Sequence, residues 1–151
     1  MWDIENGFKD GQDHGMFASS KEGDVPWLNP HPSFYHYFFY NQYFGDTYYE
    51  SRSTKSSVRI HASNFSTGEL GIVAVNMSPK EEILELSINN AKIGTIAGVY
   101  ELSSNTPASR KVAINGVFPK KNAGGPENFL KIKANKIVLK DDKIKLAIKP
   151  F

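Results

Sequence analysis

Two acidic residues near the start of the chain, Asp3 and Glu5, are spaced so that a strand would carry both carboxyl groups on one face. Glycosidases use two carboxyl groups, one as the acid and one as the nucleophile or base. A catalytic dyad made from Asp3 and Glu5 alone is therefore one hypothesis. A pair of solvated acids at the end of a strand is the interpretation that we favour.

Two side chains in the same region have the chemistry to contact a sugar. The flat indole of Trp2 would suit the C–H face of a pyranose ring, and the alternative is an indole in the core. His14, next to Asp13, could bond a hydroxyl group or a substrate anion, and the alternative is a lone surface histidine. Asp10, Asp13 and His14 match no standard metal-site spacing, so we predict no metal and no cofactor.

Other kinds of chemistry lack their sequence signals. The chain has no cysteine, which removes disulfides, thiolate metal sites and cysteine nucleophiles. The glycines at Gly124-Gly125-Pro126 are not followed by the Lys-Ser/Thr of a phosphate-binding loop, and we interpret them as a turn. No nucleophile elbow of the Ser/His/Asp hydrolases is present.

The net charge of +2 conceals two oppositely charged ends. Residues 1–50 contain two lysines and eight acidic residues, whereas residues 110–151 contain eleven basic and three acidic residues. Lysines in the basic end alternate with Ile, Leu and Val, which predicts an amphipathic sheet with a polar outer face. The alternative is a cationic surface for an acidic or sulfated polysaccharide. The lysines concerned are Lys131, Lys133, Lys136, Lys140, Lys143, Lys145 and Lys149.

Neither nucleic acid nor a membrane is predicted as a partner. The aromatic residues do not interleave with these lysines, as they would in a nucleic-acid groove. No apolar run approaches the roughly 18 residues that span a bilayer. We also find no signal peptide at the start of this chain.

An aromatic segment is predicted to form the main helix. Between Phe34 and Tyr49, ten of sixteen residues are Phe or Tyr. Pro32 suits a first helical turn and Gly45 suits the residue past a helix end, so we predict a helix over Pro32–Phe44. Its rings cover more than one apolar stripe, so the helix should need partners on at least two sides. The alternative is a central core helix.

The rest of the chain has the spacing of short antiparallel strands. Residues 56–151 are predicted to form a β-sandwich, with a tight turn at Asp141-Asp142 joining the last two strands as a hairpin. The strands are predicted at Val58–Ala62, Leu70–Met77, Ile83–Ile88, Thr95–Leu102, Lys111–Phe118, Phe129–Lys133, Lys136–Lys140 and Lys143–Lys149. The loop before the helix should be held in place by Trp27, between two prolines.

The front of the chain resembles the end of the catalytic barrel in clan-A-type glycoside hydrolases, closest to the agarase and β-porphyranase family. The downstream strands resemble the accessory sandwich of these enzymes. The segments that carry the resemblance are Trp2–Gly7, Asp13–Phe17, Asn29–Tyr37, Gly71–Ser78, Tyr100–Leu102, Ile114–Gly116 and Gly124–Pro126.

The resemblance implies a mainly β protein, an antiparallel β-sandwich preceded by a strand–loop–helix segment like the end of a (β/α)8 barrel. Residues 1–50 would be the barrel remnant and residues 56–151 the sandwich domain. Barrel active sites lie at the carboxyl ends of the strands, so Trp2, Glu5, Asn6 and His14 would line the sugar-binding rim. The catalytic carboxylates would lie upstream, so no catalytic residue is assigned here.

The predicted function is that of the C-terminal, non-catalytic portion of a polysaccharide-degrading hydrolase, inactive alone and secreted to the periplasm or outside the cell with its parent. Its partners would be a polysaccharide and, through the aromatic helix, the missing barrel or another protein chain. The alternative is a stand-alone module that binds carbohydrate or protein.

Overall fold

The computed structural model describes residues 16–18, 27–89, 93–120, 124–140 and 143–150. The chain forms two compact units. The first contains residues 1–39 and 102–133, and the second contains residues 40–101 and 134–151. The predicted division into residues 1–50 and 56–151 stays a prediction.

Helix α1 spans Pro32–Tyr43, which agrees within one residue with the predicted helix. The N–H of Phe44 still donates to the carbonyl of Tyr40 at 2.9 Å, so the helical bonding continues to that residue. Tyr35 and Phe39, one turn apart, are buried, while Tyr37, Tyr40 and Tyr43 are exposed. The helix therefore buries a single stripe.

Short antiparallel strands make up most of the remaining regular structure, which confirms the predicted mainly β class. No helix among the described residues is long and apolar enough to cross a membrane. The strands are β1 (Thr47–Tyr49), β2 (Val58–Asn64), β3 (Leu70–Asn76), β4 (Glu82–Ser87), β5 (Ile96–Val99), β6 (Leu102–Ser103), β7 (Ala113–Ile114), β8 (Asn135–Val138) and β9 (Lys143–Ile148).

In the second unit the strands pair in three small sheets. A three-stranded sheet has the order β1-β2-β3, and two-stranded ladders join β4 to β9 and β5 to β8. Val58, Leu84 and Ile144 are buried in this unit. The alternation of buried and exposed residues along β9 confirms the predicted amphipathic character of this strand.

The first unit is built around an aromatic cluster at the start of α1. The ring of Phe129 lies at its centre and is 5.0–6.5 Å from its neighbours. The neighbouring rings are Phe34, Tyr35, Phe38 and Phe39. Gly124-Gly125-Pro126 is buried against this helix start. A Cβ at Gly125 would lie 2.5 Å from the ring of Tyr35, so only glycine fits there.

Four strand predictions need correction. The strand predicted over Thr95–Leu102 divides into β5 and β6, which pair with different strands. Phe129–Lys131 forms a 3-10 helix, because the ring of Phe129 packs among the helix aromatics instead of alternating along a strand. The strand predicted over Lys111–Phe118 shortens to β7, because Asn115 and Gly116 adopt φ values of 48° and 76° and turn the chain back on itself. In the last two strands, Lys140 and Lys143 form an antiparallel bridge, but β8 then pairs with β5 and β9 with β4.

Candidate functional site

The four predicted rim residues, Trp2, Glu5, Asn6 and His14, lie outside the described residues. Their role in contacting sugar stays a prediction. The acids Asp3 and Glu5 of the dyad hypothesis lie there as well.

The second unit carries a row of neighbouring rings, made of Tyr40, Phe44, Tyr48 and His61, which we call the aromatic row. Tyr40 stacks on Phe44 with ring centroids 4.6 Å apart and an interplanar angle of 18°. Phe44 lies 6.4 Å from Tyr48, and Tyr48 lies 6.3 Å from His61. Phe44 is half-buried and the other three side chains are exposed. Tyr48 is the most open tyrosine of the row, at 58 % exposure.

Helix and sheet spacing bring these rings together. Tyr40 and Phe44 are four residues apart, so their side chains lie on one side of the helical turn. Tyr48 lies opposite Ser63 in the β1–β2 register, and His61 is two residues from Ser63 along β2. Side chains two apart on a strand share a face, so His61 lies diagonally next to Tyr48.

A buried serine fastens the helix end to this sheet. The N–H of Gly45 donates to Ser63 Oγ at 2.8 Å, and Ser63 Oγ donates to the carbonyl of Gly71 at 3.3 Å. Ser63 is fully buried. A Cβ at Gly45 would clash with the backbone of Asn64, and a Cβ at Gly71 would clash with the carbonyl of Tyr43. Gly45 is therefore required for close approach, and it does not adopt a left-handed cap.

Ser63→Ala is expected to reduce the free energy of unfolding by about 2 kcal/mol, because it leaves the N–H of Gly45 without its acceptor. The measurement is a urea titration followed by circular dichroism. Ser87→Ala, on the exposed side of β4, is the matched control and should change stability by less than about 0.5 kcal/mol. Equal effects of the two substitutions would contradict the fastening role of Ser63.

A second pair of rings lies next to the row. Tyr43 stacks on Tyr100 with centroids 5.0 Å apart and an interplanar angle of 25°. The hydrogen bond between the two side chains, together with desolvation, raises the pKa of Tyr43 to about 12. The Tyr43 hydroxyl group therefore keeps its proton in alkaline solution as well as near pH 7.

Two of the remaining expectations have different outcomes. Trp27 was expected to anchor its loop, and this is wrong, since its side chain is 64 % exposed. The neighbouring Leu28 has φ 60°, a left-handed conformation that is unusual for a leucine. His61 was expected to face solvent, and this is confirmed.

Several lysines of the basic end are paired with acids. Lys143 Nζ lies 3.1 Å from Glu85 Oε1, and Lys149 Nζ lies 3.0 Å from Glu101 Oε1. Glu85 also lies opposite Lys145 in the β4–β9 register. This face therefore alternates in charge where β4 meets β9, as expected for the polar outside of an amphipathic sheet.

Two of the described carboxyl groups have a lowered pKa. A glycosidase acid needs a raised pKa. The Lys55 ammonium lowers the pKa of Glu82 at a distance of 2.5 Å, with a further hydrogen bond from Ser57. The hydroxyl of Thr67 lowers the pKa of Glu69. Within the described ranges, no group of three or more His, Cys, Asp or Glu side chains could hold a metal ion.

No known protein family matches the sequence, and no curated protein or solved structure is significantly similar to it.

Proposed function

We propose that this chain is the C-terminal, non-catalytic portion of a polysaccharide-degrading glycoside hydrolase, secreted with its parent, and that it holds polysaccharide on the aromatic row. The observation that carries this proposal is the row of four neighbouring rings, three of them exposed, next to the helix end. The sequence resemblance supplies the enzyme class.

Exposed rings of this kind contribute little to the stability of the unit, but they are available to contact sugars. Burying a large apolar side chain contributes about 1.5–3 kcal/mol, and Tyr48 forgoes most of that gain. A pyranose ring laid over the tyrosine would recover part of it, because the C–H face of the sugar is apolar and flat. Tyrosine hydroxyl groups at the edge of the row would bond the sugar hydroxyls.

The bond-breaking step is assigned to the missing barrel. The carboxyl groups of Glu69 and Glu82 have pKa values shifted in the direction opposite to that of a general acid. In the parent enzyme, Trp2, Glu5, Asn6 and His14 would complete the rim of the barrel site. The aromatic row would hold the polysaccharide outside that site.

The full chain is expected to bind polysaccharide without cleaving it. The test combines co-sedimentation with insoluble polysaccharides, a glycan array and an assay for new reducing ends on algal and plant polysaccharides. We expect retention on at least one polysaccharide and no new reducing ends. Turnover by the purified chain would overturn the non-catalytic assignment, and absence of all glycan binding would overturn the binding role. Trp2→Ala measures how much the predicted rim contributes.

Docking on another protein is a second candidate, favoured by the exposed side of α1. Tyr37, Tyr40 and Tyr43 leave that side of the helix aromatic and open to solvent. The missing barrel would be one such partner. A monomeric chain that binds no apolar dye in solution would argue against this candidate.

A further inference from the structure

We infer that the aromatic row continues along the open face of the first sheet as a site for an anionic glycan, with Arg59 contacting a sulfate or carboxylate group. This inference rests on the proposed function and specifies the ligand of the same surface. We call the surface formed by Tyr48, His61, Arg59, Val73 and Val75 the anion face.

The strand register places the members of this surface on one side of the sheet. Arg59, His61 and Ser63 alternate along β2, and Tyr48 lies opposite Ser63. Successive residues on one face are about 7 Å apart, so Arg59 lies about 14 Å along the strand from the position of Tyr48. This span accommodates several sugar rings in a row. Arg59 and His61 are both exposed.

Valines of the neighbouring strand form the floor of the anion face. Val73 lies opposite His61, and Val75 lies opposite Arg59. Val75 is exposed and Val73 is half-buried. The helix end lies over this face at Ser63 and Gly71. Towards Arg59 the sheet therefore presents the apolar valines next to the polar side chains of β2. A sugar chain can contact both kinds of surface.

The charge of Arg59 is available for a ligand. Some other cations of the second unit are paired, with Arg52 on Glu50 at 2.6 Å and Lys143 on Glu85 at 3.1 Å. Among the residues that the structure describes, Arg59 has no ion-pair partner. A guanidinium group binds a sulfate or a carboxylate through two parallel hydrogen bonds, so a single arginine can select an anionic sugar.

A glycan suits this surface better than a nucleic acid. A nucleic acid carries one charge per nucleotide and requires several cations along its path. The second unit has ten basic and nine acidic residues in total. The anion face itself offers one arginine. A polysaccharide with spaced sulfate or carboxylate groups matches that charge density.

The test measures binding of the full chain by isothermal titration to neutral, sulfated and carboxylated hexasaccharides, each on a galactan and a glucan backbone. We expect the sulfated or the carboxylated form to bind about tenfold more tightly than the neutral form on the same backbone. Arg59→Gln should remove this preference, so that charged and neutral forms bind alike. Comparison of the sulfated with the carboxylated hexasaccharides shows which anionic group Arg59 binds.

Two neighbouring residues provide matched controls. Arg52→Gln removes an arginine of the same unit that is already paired with Glu50, and it should change no affinity. Tyr48→Ala should weaken the binding of every hexasaccharide. Tyr48→Phe keeps the aromatic ring and should retain most of the wild-type affinity. Tyr49 follows Tyr48 on β1 but faces the other side of the sheet, and it is 46 % exposed. Tyr49→Ala should therefore bind as the wild type does.

The failures of the two proposals are distinguishable. Loss of binding in Tyr48→Ala with no change of preference in Arg59→Gln would overturn the anion site and keep the glycan-binding role. Absence of binding to every hexasaccharide and polysaccharide would overturn both. Tighter binding of a single-stranded oligodeoxythymidylate than of any glycan would assign the face to nucleic acid and overturn the inference.

Discussion

Gly124→Ala is expected to lower the melting temperature of the protein by about 10 °C, which corresponds to about 3 kcal/mol of unfolding free energy. The added Cβ would overlap the carbonyl oxygen of Pro30 and come within 3.0 Å of the carbonyl carbon of His31. Both obstacles are backbone atoms, so no rotamer change can relieve them. The Gly124 carbonyl also accepts the N–H of Val112 at 2.7 Å, which holds the glycine in place.

Gly94→Ala is the matched control for this substitution. A Cβ at Gly94 would meet nothing within 4 Å, and the residue does not have a positive φ. It should leave stability unchanged or raise it by about 0.5 kcal/mol through the unfolded chain. Differential scanning calorimetry of both variants measures the contrast. A Gly124→Ala protein that melts with the wild type would show that Pro30 does not approach this turn as described.

Phe129→Ala is expected to reduce the free energy of unfolding by about 3 kcal/mol. The ring lies 5.0 Å from Phe38 and 5.2 Å from Tyr35, in edge-to-face geometry with both. Truncating a packed phenylalanine costs about 3–5 kcal/mol, and the half-burial of Phe129 places it at the lower end. Each lost ring pair adds to the cost of the lost burial.

The neighbouring residue separates packing from local chain effects. Leu130 belongs to the same 3-10 helix but is 73 % exposed. Leu130→Ala should change stability by less than about 0.5 kcal/mol, which urea titration resolves easily from the effect of Phe129→Ala. Similar losses in the two variants would mean that the short helix, rather than the aromatic cluster, carries the stability.

Local signals were sufficient for the helix and for the strands with strict alternation. Helix α1 starts at Pro32 and ends before Gly45. The residues that signal its start and its end therefore both lie next to the helix in the sequence. Strand β9 was predicted within one residue, because its lysines and aliphatic residues alternate with period two. Such elements carry their own pattern of burial.

Pairing and packing depended on distant residues and were mispredicted. The sequence of Phe129–Lys133 has the alternation of a strand. The ring of Phe129 instead packs on the aromatic residues of α1, which lie almost a hundred residues earlier in the chain. Strands β8 and β9 are adjacent in sequence, but each has its partner far upstream. Tertiary contacts overrode the local preference in both places.

The aromatic row was only partly visible in the sequence. The density of rings around α1 was evident, and the alternation of β2 indicated that His61 faces solvent. Strand β1 is three residues long and was not predicted, so Tyr48 could not be placed next to Phe44. Arg59 lies on the same face as Tyr48 through the β1–β2 register, which no local pattern fixes. The alternation of Arg59 and His61 was the one signal that could have linked them.

The path of the chain determines how its parts can be studied. The polypeptide passes from one unit to the other after residues 39, 101 and 133, so each unit is assembled from two separate stretches. A protein truncated after residue 101 would lose β8 and β9 and leave β4 and β5 without their partners. A fragment starting at residue 40 would remove from the first unit the part of α1 that ends at Phe39. Neither half can be produced by trimming one end, and a version of a single unit would have to be made by joining its two stretches with a new linker.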